Sequence, residues 1–400
     1  MGARTRSSAD RPRGFRALVA ATAAAMFLVA CSSSTPTQHT ASTRSRPSRR
    51  SASVDDDVQL NQIQVVGTHN SYHQLLTAAE RKVRDQVNKA GVAGLDYRHA
   101  PLPDQLQHQR VRQLELDVWL DSKGGRYATP LLRSATNGGP TDPVMRRPGI
   151  KVFHVQDTDY HSSCLTLQIC LRQIKGWSDA HPSHVPIAIL VELKDSPEIF
   201  GKIKFATPEP WTAPAMATLD AEIRAVFSPK ELITPDDVRG SRSSLVDAVL
   251  HHGWPTLRQS RGRVLFLMDN ADKRLAYLQG HPSLAGRVLF TSSVPGQPDA
   301  AFIERNDPKR SQADIRSLVR LGYMVRSMAD HETREAHADD VSSRDAALAS
   351  GAQWVSTDYP VPDYGVAFAT KYVVELPGTT AARCDPVNAP RSCDTAALEQ

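Results

Sequence analysis

Four side chains in the first third of this chain have the right types and spacing for metal-assisted chemistry on a phosphodiester. In Gly67-Thr68-His69-Asn70-Ser71-Tyr72, His69 and Asn70 follow the apolar run Ile63-Gln64-Val65-Val66, so a strand end would carry an imidazole and a neutral carbonyl oxygen into a cleft. In Leu114-Glu115-Leu116-Asp117-Val118-Trp119 the two acids alternate with apolar residues. Successive side chains on a strand point to opposite faces, so Glu115 and Asp117 share one face while Leu114, Leu116 and Val118 supply the core side. Oxygen donors of this kind suit a hard cation such as calcium, which takes six to eight oxygen ligands. Histidine does not suit calcium, and is left to move protons near neutral pH.

These residues need a frame that presents strand ends together. Short apolar runs recur at 63–67, 112–118, 151–154, 187–193, 263–268, 287–290, 323–326 and 354–357, with amphipathic or loop-rich segments between them. The stretch 165–180 places Leu165, Ile169, Leu171, Ile174 and Trp177 roughly on one helical face. Strands alternating with helices argue for a (β/α)8 barrel, an α/β fold whose active site lies at the C-terminal ends of its strands. Polar residues follow most of these runs, among them Asp269, Ser292, Arg326 and Asp358. Loop polarity alone accounts equally well for Asp269, Ser292 and Asp358.

The ordered motifs resemble the calcium-dependent phosphatidylinositol-specific phospholipase C family. His69 and Asn70 match its first histidine and adjacent asparagine ligand, and Glu115 and Asp117 match its carboxylate pair. His154, in Lys151-Val152-Phe153-His154, matches its second histidine, and Glu192, in Val191-Glu192-Leu193-Lys194, a further ligand. The resemblance implies a TIM barrel of the phospholipase C type, with Ca2+ held by Asn70, Glu115, Asp117 and Glu192. It also implies attack by the inositol 2-hydroxyl on phosphorus, with release of diacylglycerol and a cyclic phosphodiester that water then opens. His154 is expected as the general acid. His69 is expected at the phosphoryl oxygen or the attacking hydroxyl, with a ligand carboxylate able to share the base role. Lys194 and Arg326 are candidates for substrate contact.

Two other readings are open at this level. Glycerophosphodiester phosphodiesterases are also barrels, and 351–358 is similar to their last strand, although Asn70 stands where they carry arginine. A non-enzymatic surface lipoprotein is the second alternative.

The amino terminus points to export. Five arginines precede an apolar stretch at 17–30, and Leu28-Val29-Ala30-Cys31 looks like a bacterial lipobox, so residues 1–30 read as a lipoprotein signal and Cys31 as the lipidated residue. The apolar run is shorter than the about 20 residues a membrane span needs. Residues 31–54, rich in Ser, Thr, Arg and Pro, read as a tether; 55–376 is the expected catalytic domain and 377–400 a surface tail.

The full chain has 48 basic and 43 acidic residues, a net +5, but residues 51–400 hold 39 and 42, a net −3. The basic excess therefore lies in the leader and tether, and nothing favours nucleic acid as a partner. With Cys31 set aside, Cys164, Cys170, Cys384 and Cys393 remain for disulfides, and proximity favours the pairs 164–170 and 384–393 among three possible pairings. The expected protein is a monomeric, extracytoplasmic enzyme that meets a phosphatidylinositol-type lipid at a membrane surface.

Overall fold

The computed structural model describes residues 53–399 apart from 89–92, 198, 201–202, 332 and 363–369. Cys31, with the signal and most of the tether, lies outside the described residues. Eight parallel strands form the barrel: β1 (Ile63–Thr68), β2 (Gln113–Trp119), β3 (Ile187–Lys194), β4 (Val264–Met268), β5 (Leu289–Thr291), β6 (Phe302–Glu304), β7 (Met324–Met328) and β8 (Trp354–Thr357). Hydrogen-bonded neighbours run β5-β4-β3-β2-β1-β8-β7-β6. The ring closes between β5 and β6 through a single bridge, Ser292 to Phe302, in which the Ser293 amide donates to the Phe302 carbonyl at 3.1 Å. Helices Leu167–Ala180, Ala213–Arg224, Pro308–Arg320 and Ser342–Ser350 lie among the connections.

Strands β3 and β4 are apolar on both faces along most of their length, and β2 on one, because the barrel interior and the helix layer each bury a face. Leu114, Leu116, Val118, Ile187, Ile189, Val191, Leu265 and Leu267 are all fully buried. Gly67 is required by a close approach: a Cβ there would stand 1.8 Å from Oε1 of Gln113. Gln113 lies directly across on β2 and accepts from the Ser356 hydroxyl at 2.6 Å, tying β1, β2 and β8 together.

Two sequence expectations change. Residues 151–154 do not form a barrel strand: Lys151–Val152 pairs antiparallel with the end of β2, Val118 opposite Val152, inside the long β2–β3 connection. The barrel strand missing from the sequence count is β6, three residues that follow a turn-rich stretch and are joined to β5 without an intervening helix. It is too short to show a period of its own. The carboxyl-terminal tail is also more than a surface strap, because Arg383–Cys384 pairs antiparallel with the start of β1. Glu399 accepts from Arg112 and, at 3.1 Å, from the Val185 amide, while Leu398 is fully buried. Cys164 is bonded to Cys170 and Cys384 to Cys393.

Candidate active site

Strand register assembles the acids. Glu115 and Asp117 share a face of β2, and Asp117 stands directly opposite Glu192 on β3. One carboxylate oxygen from each of Glu115, Asp117 and Glu192 lies within 4.8 Å of the others. Asp117 is fully buried and neither of its oxygens accepts a hydrogen bond, although the Lys194 ammonium stands 3.3 Å away and also reaches Glu192 at 3.0 Å. Burial, and then the Glu192 carboxylate, push the Asp117 pKa well above the usual range. Burial raises Glu115 as well, against the pull of His69 and Arg326.

Asn70 adjoins this cluster. It has a positive φ of 46° at the turn leaving β1, its Nδ2 donates to the Tyr97 hydroxyl at 3.2 Å and its Oδ1 accepts from the Tyr72 hydroxyl at 3.1 Å. Its Nδ2 also lies 3.4 Å from His69 Nε2, which is itself 3.7 Å from Glu115 Oε1, so the Asn70 side chain stands beside the acids. Unpartnered carboxylate oxygens inside an all-oxygen donor set fit a hard divalent cation, so the chemistry of these four residues suits calcium.

Each nominated histidine is backed by a carboxylate. His69 donates from Nδ1 to Asp358 at 3.1 Å, which turns Nε2 toward Glu115 Oε1, 3.7 Å away. Burial works to lower the His69 pKa, but the Glu115 and Asp358 carboxylates raise it to about 10. Asp358 in turn neighbours Asp330, which accepts from the Asp358 amide at 3.0 Å. Burial and Asp358 raise the Asp330 pKa, while the His69 ring, hydrogen-bonded to Asp358 at 3.1 Å, outweighs burial to lower that of Asp358.

His154 donates from Nδ1 to Asp159 Oδ2 at 2.8 Å, and burial keeps its pKa below the usual histidine value. The ring is placed by its predecessor: Phe153 stacks on Trp119 at the end of β2, with centroids 5.2 Å apart, and the Trp119 indole donates to the Phe153 carbonyl at 2.8 Å. The antiparallel pairing of 151–152 thus brings a loop residue to the strand ends.

The sequence of residues 58–386 matches the family model for Ca2+-dependent phosphoinositide phospholipase C. The chain belongs to that family. It is a phosphoric diester hydrolase, and the cofactor of its family is calcium. Among solved structures, it is similar to a calcium-dependent phosphoinositol-specific phospholipase C from the Gram-negative bacterium Pseudomonas sp. The two are 17% identical over 83% of this chain and 96% of that one, with a TM-score of 0.51. A Ca2+-dependent phosphatidylinositol-specific phospholipase C from Streptomyces antibioticus aligns at 18% identity over 76% and 95% of the two chains, with a TM-score of 0.46. The likeness to the Pseudomonas structure shows the fold. No curated protein matches the sequence.

For this phospholipase C family member the structure brings His69, Asn70, Glu115, Asp117, His154, Glu192 and Lys194 to one end of the barrel or to the connection beside it. Arg326 is placed differently from a substrate contact. It is 2% exposed, and its guanidinium donates to Glu115 Oε2 at 2.7 Å and to the Ser356 hydroxyl at 2.9 Å, so its charge is taken up by the Glu115 carboxylate.

Sequence reasoning missed Asp159, His73 and His99. His99 donates from Nε2 to the His69 carbonyl at 2.8 Å, and His73 and Asp159 are buried beside His154. Their only signal was position: an acid five residues beyond a nominated histidine, and a histidine three residues beyond a nominated ligand.

Proposed function

We propose that this protein is a calcium-dependent, phosphatidylinositol-specific phospholipase C that cleaves phosphatidylinositol to diacylglycerol and an inositol cyclic phosphate. The observation that carries the reading is the pair of histidines, each held through Nδ1 by a buried carboxylate, at the edge of a carboxylate cluster with unpartnered oxygens. When bound by Asn70, Glu115, Asp117 and Glu192, calcium supplies positive charge next to the attacking and phosphoryl oxygens.

The protein's own groups then divide the proton transfers. Because Nδ1 of His69 is committed to Asp358 and the Glu115 and Asp358 carboxylates keep the ring protonated against burial, its Nε2–H stands ready for a phosphoryl oxygen, and Glu115 Oε1, 3.7 Å from Nε2, takes the proton of the inositol 2-hydroxyl. The 2-oxygen forms a bond to phosphorus as the bond to the diacylglycerol oxygen breaks. That oxygen receives a proton from Nε2 of His154, whose Nδ1 stays on Asp159. Water opens the cyclic ester by the same transfers in reverse. Lys194, between Asp117 and Glu192, limits repulsion among the acids and offers a cation to a phosphoryl oxygen.

A lipid substrate requires the barrel mouth to face a membrane. Leu275 and Val294, 73% and 60% exposed, lie on the connections that leave the C-terminal ends of β4 and β5, the same end as the site. They are the two most exposed large apolar side chains among the described residues, and contact with a lipid surface would bury them. Among the described residues no helix is long and apolar enough to cross a membrane, and a lipid on Cys31 would tether the enzyme at the outer face of its envelope. One chain supplies every nominated residue, which suits a monomer.

Phosphorus NMR of phosphatidylinositol turnover tests the reading. A cyclic phosphodiester should form first, excess EGTA should stop it and calcium should restore it. A 2-O-methyl inositol lipid should be inert. Full activity in EGTA, or phosphatidic acid as the first product, refutes the assignment, and efficient turnover of glycerophosphocholine would favour the phosphodiesterase alternative.

A further inference from the structure

We infer that His73 is a positioning residue for the general acid: a buried imidazolium that fixes the charge and direction of Asp159, and through Asp159 the orientation of His154. The inference rests on the phospholipase reading above, in which His154 protonates the leaving oxygen.

The hydrogen-bond chain is continuous. His73 faces the Tyr97 carbonyl with Nδ1 at 3.0 Å and the Asp159 carboxylate with Nε2, at 2.9 Å from Oδ2 and 3.1 Å from Oδ1. A backbone carbonyl and a carboxylate can only accept here, so both ring nitrogens carry protons and the ring is positively charged. Oδ2 of Asp159 also accepts from Nδ1 of His154 at 2.8 Å. His73 is fully buried and Asp159 is 1% exposed. The His73 ring stacks on Tyr97, with centroids 4.6 Å apart and planes at 27°. Its amide donates to the Asn70 carbonyl at 2.8 Å, fixing its backbone to the turn that presents Asn70.

A charge buried this deeply is tolerated only when paired and hydrogen-bonded, and each member of the His73–Asp159 pair satisfies the other. The consequence falls on His154. Facing a lone buried carboxylate, its ring would be oriented but would hold its proton tightly. Facing a carboxylate already neutralised by His73, it keeps the orientation and releases the proton more readily. Burial opposes ionisation of Asp159, yet His73 and then His154 hold its carboxyl well below the usual range, in keeping with that pairing. His73, His154 and Asp159 are also close enough together to hold a metal such as zinc, and the experiment must separate the two arrangements.

The test compares wild type with His73→Gln, which keeps a donor for Asp159 but carries no charge. The substrates are phosphatidylinositol and an inositol phosphodiester with a p-nitrophenolate leaving group, which needs no proton to depart. Since general acid catalysis contributes roughly 100- to 10,000-fold, loss of a residue acting through it should lower kcat on phosphatidylinositol by about 10- to 100-fold. KM should be nearly unchanged and turnover of the p-nitrophenyl ester largely kept. Equal loss on both substrates, or no loss on either, overturns the inference. If the variant does not fold, nitrogen NMR of the calcium-loaded wild type decides: it should show His73 protonated on both nitrogens and His154 on Nδ1. A neutral His73, or stoichiometric zinc in the purified enzyme, overturns it. A wild type that cleaves neither inositol substrate defeats the phospholipase reading instead, and the NMR measurement still decides the hydrogen-bond chain.

Discussion

Replacing Asp117 with Asn should make the metal-free protein more stable and the calcium-bound protein less stable. Asp117 is fully buried, has no hydrogen-bond donor among the described residues, and shares its neighbourhood with Glu115 and Glu192 within 4.8 Å and with Lys194 at 3.3 Å. At an effective dielectric of about 20, each acid repels a charge on Asp117 by about 3.5 kcal/mol and Lys194 attracts it by about 5 kcal/mol. The balance is about 2 kcal/mol against the charge, before its desolvation is counted. A proton taken up by Asp117 relieves the same repulsion and limits the gain from the amide. Thermal unfolding in EGTA should therefore show Asp117→Asn melting at or above wild type. With calcium at about 100 times its dissociation constant, wild type should gain about 2.7 kcal/mol. The variant, with one ligand charge removed, should gain little and should lose lipid cleavage. The opposite pattern, a variant much less stable in EGTA that responds to calcium as wild type does, would show that Asp117 is a structural acid and would refute its assignment as a ligand.

Other predictions follow from the buried charges and the amino terminus. Arg326→Met should cost up to about 3–5 kcal/mol in urea unfolding without calcium, because it strips the buried Glu115 of its guanidinium and leaves it only the His69 ring at 3.7 Å; a loss below about 1 kcal/mol would contradict the pairing. Asp385 is 3% exposed, burial raises its pKa to about 7, and its Oδ1 accepts from the Val387 and Asn388 amides. Between the unfolded and folded pKa values the native state holds a proton that the unfolded state has released, so this group makes stability fall as pH rises through that window. Asp385→Asn should be more stable than wild type at pH 8 by up to about 4 kcal/mol and equal to it near pH 4, as read by urea melts. Cys31→Ser should abolish incorporation of labelled fatty acid and release the protein from membranes; if the wild type never takes up the label, the lipobox reading is wrong.

The sequence alone determined the fold class and located most of the candidate site. Alternation along β2 placed Glu115 and Asp117 on one face, and the ordered His-Asn, Glu-x-Asp, His and Glu motifs pointed to their family. These features are legible because strand periodicity is local and because ligand chemistry restricts residue type. Locality is also the limit. The three-residue strand β6 has too few residues to show a period, and the run 151–154 carries a strand's composition although its two paired residues lie antiparallel to β2. Arg326 at a strand end reads as a substrate contact until the tertiary structure buries it against Glu115. His73 and Tyr97 come from the β1–β2 connection and His154 and Asp159 from the β2–β3 connection, and their hydrogen-bond chain exists only once those two connections pack together. Which nitrogen of each histidine remains free for chemistry is decided by the carboxylate the fold places against the other, and that is a property of packing that no spacing along the chain records.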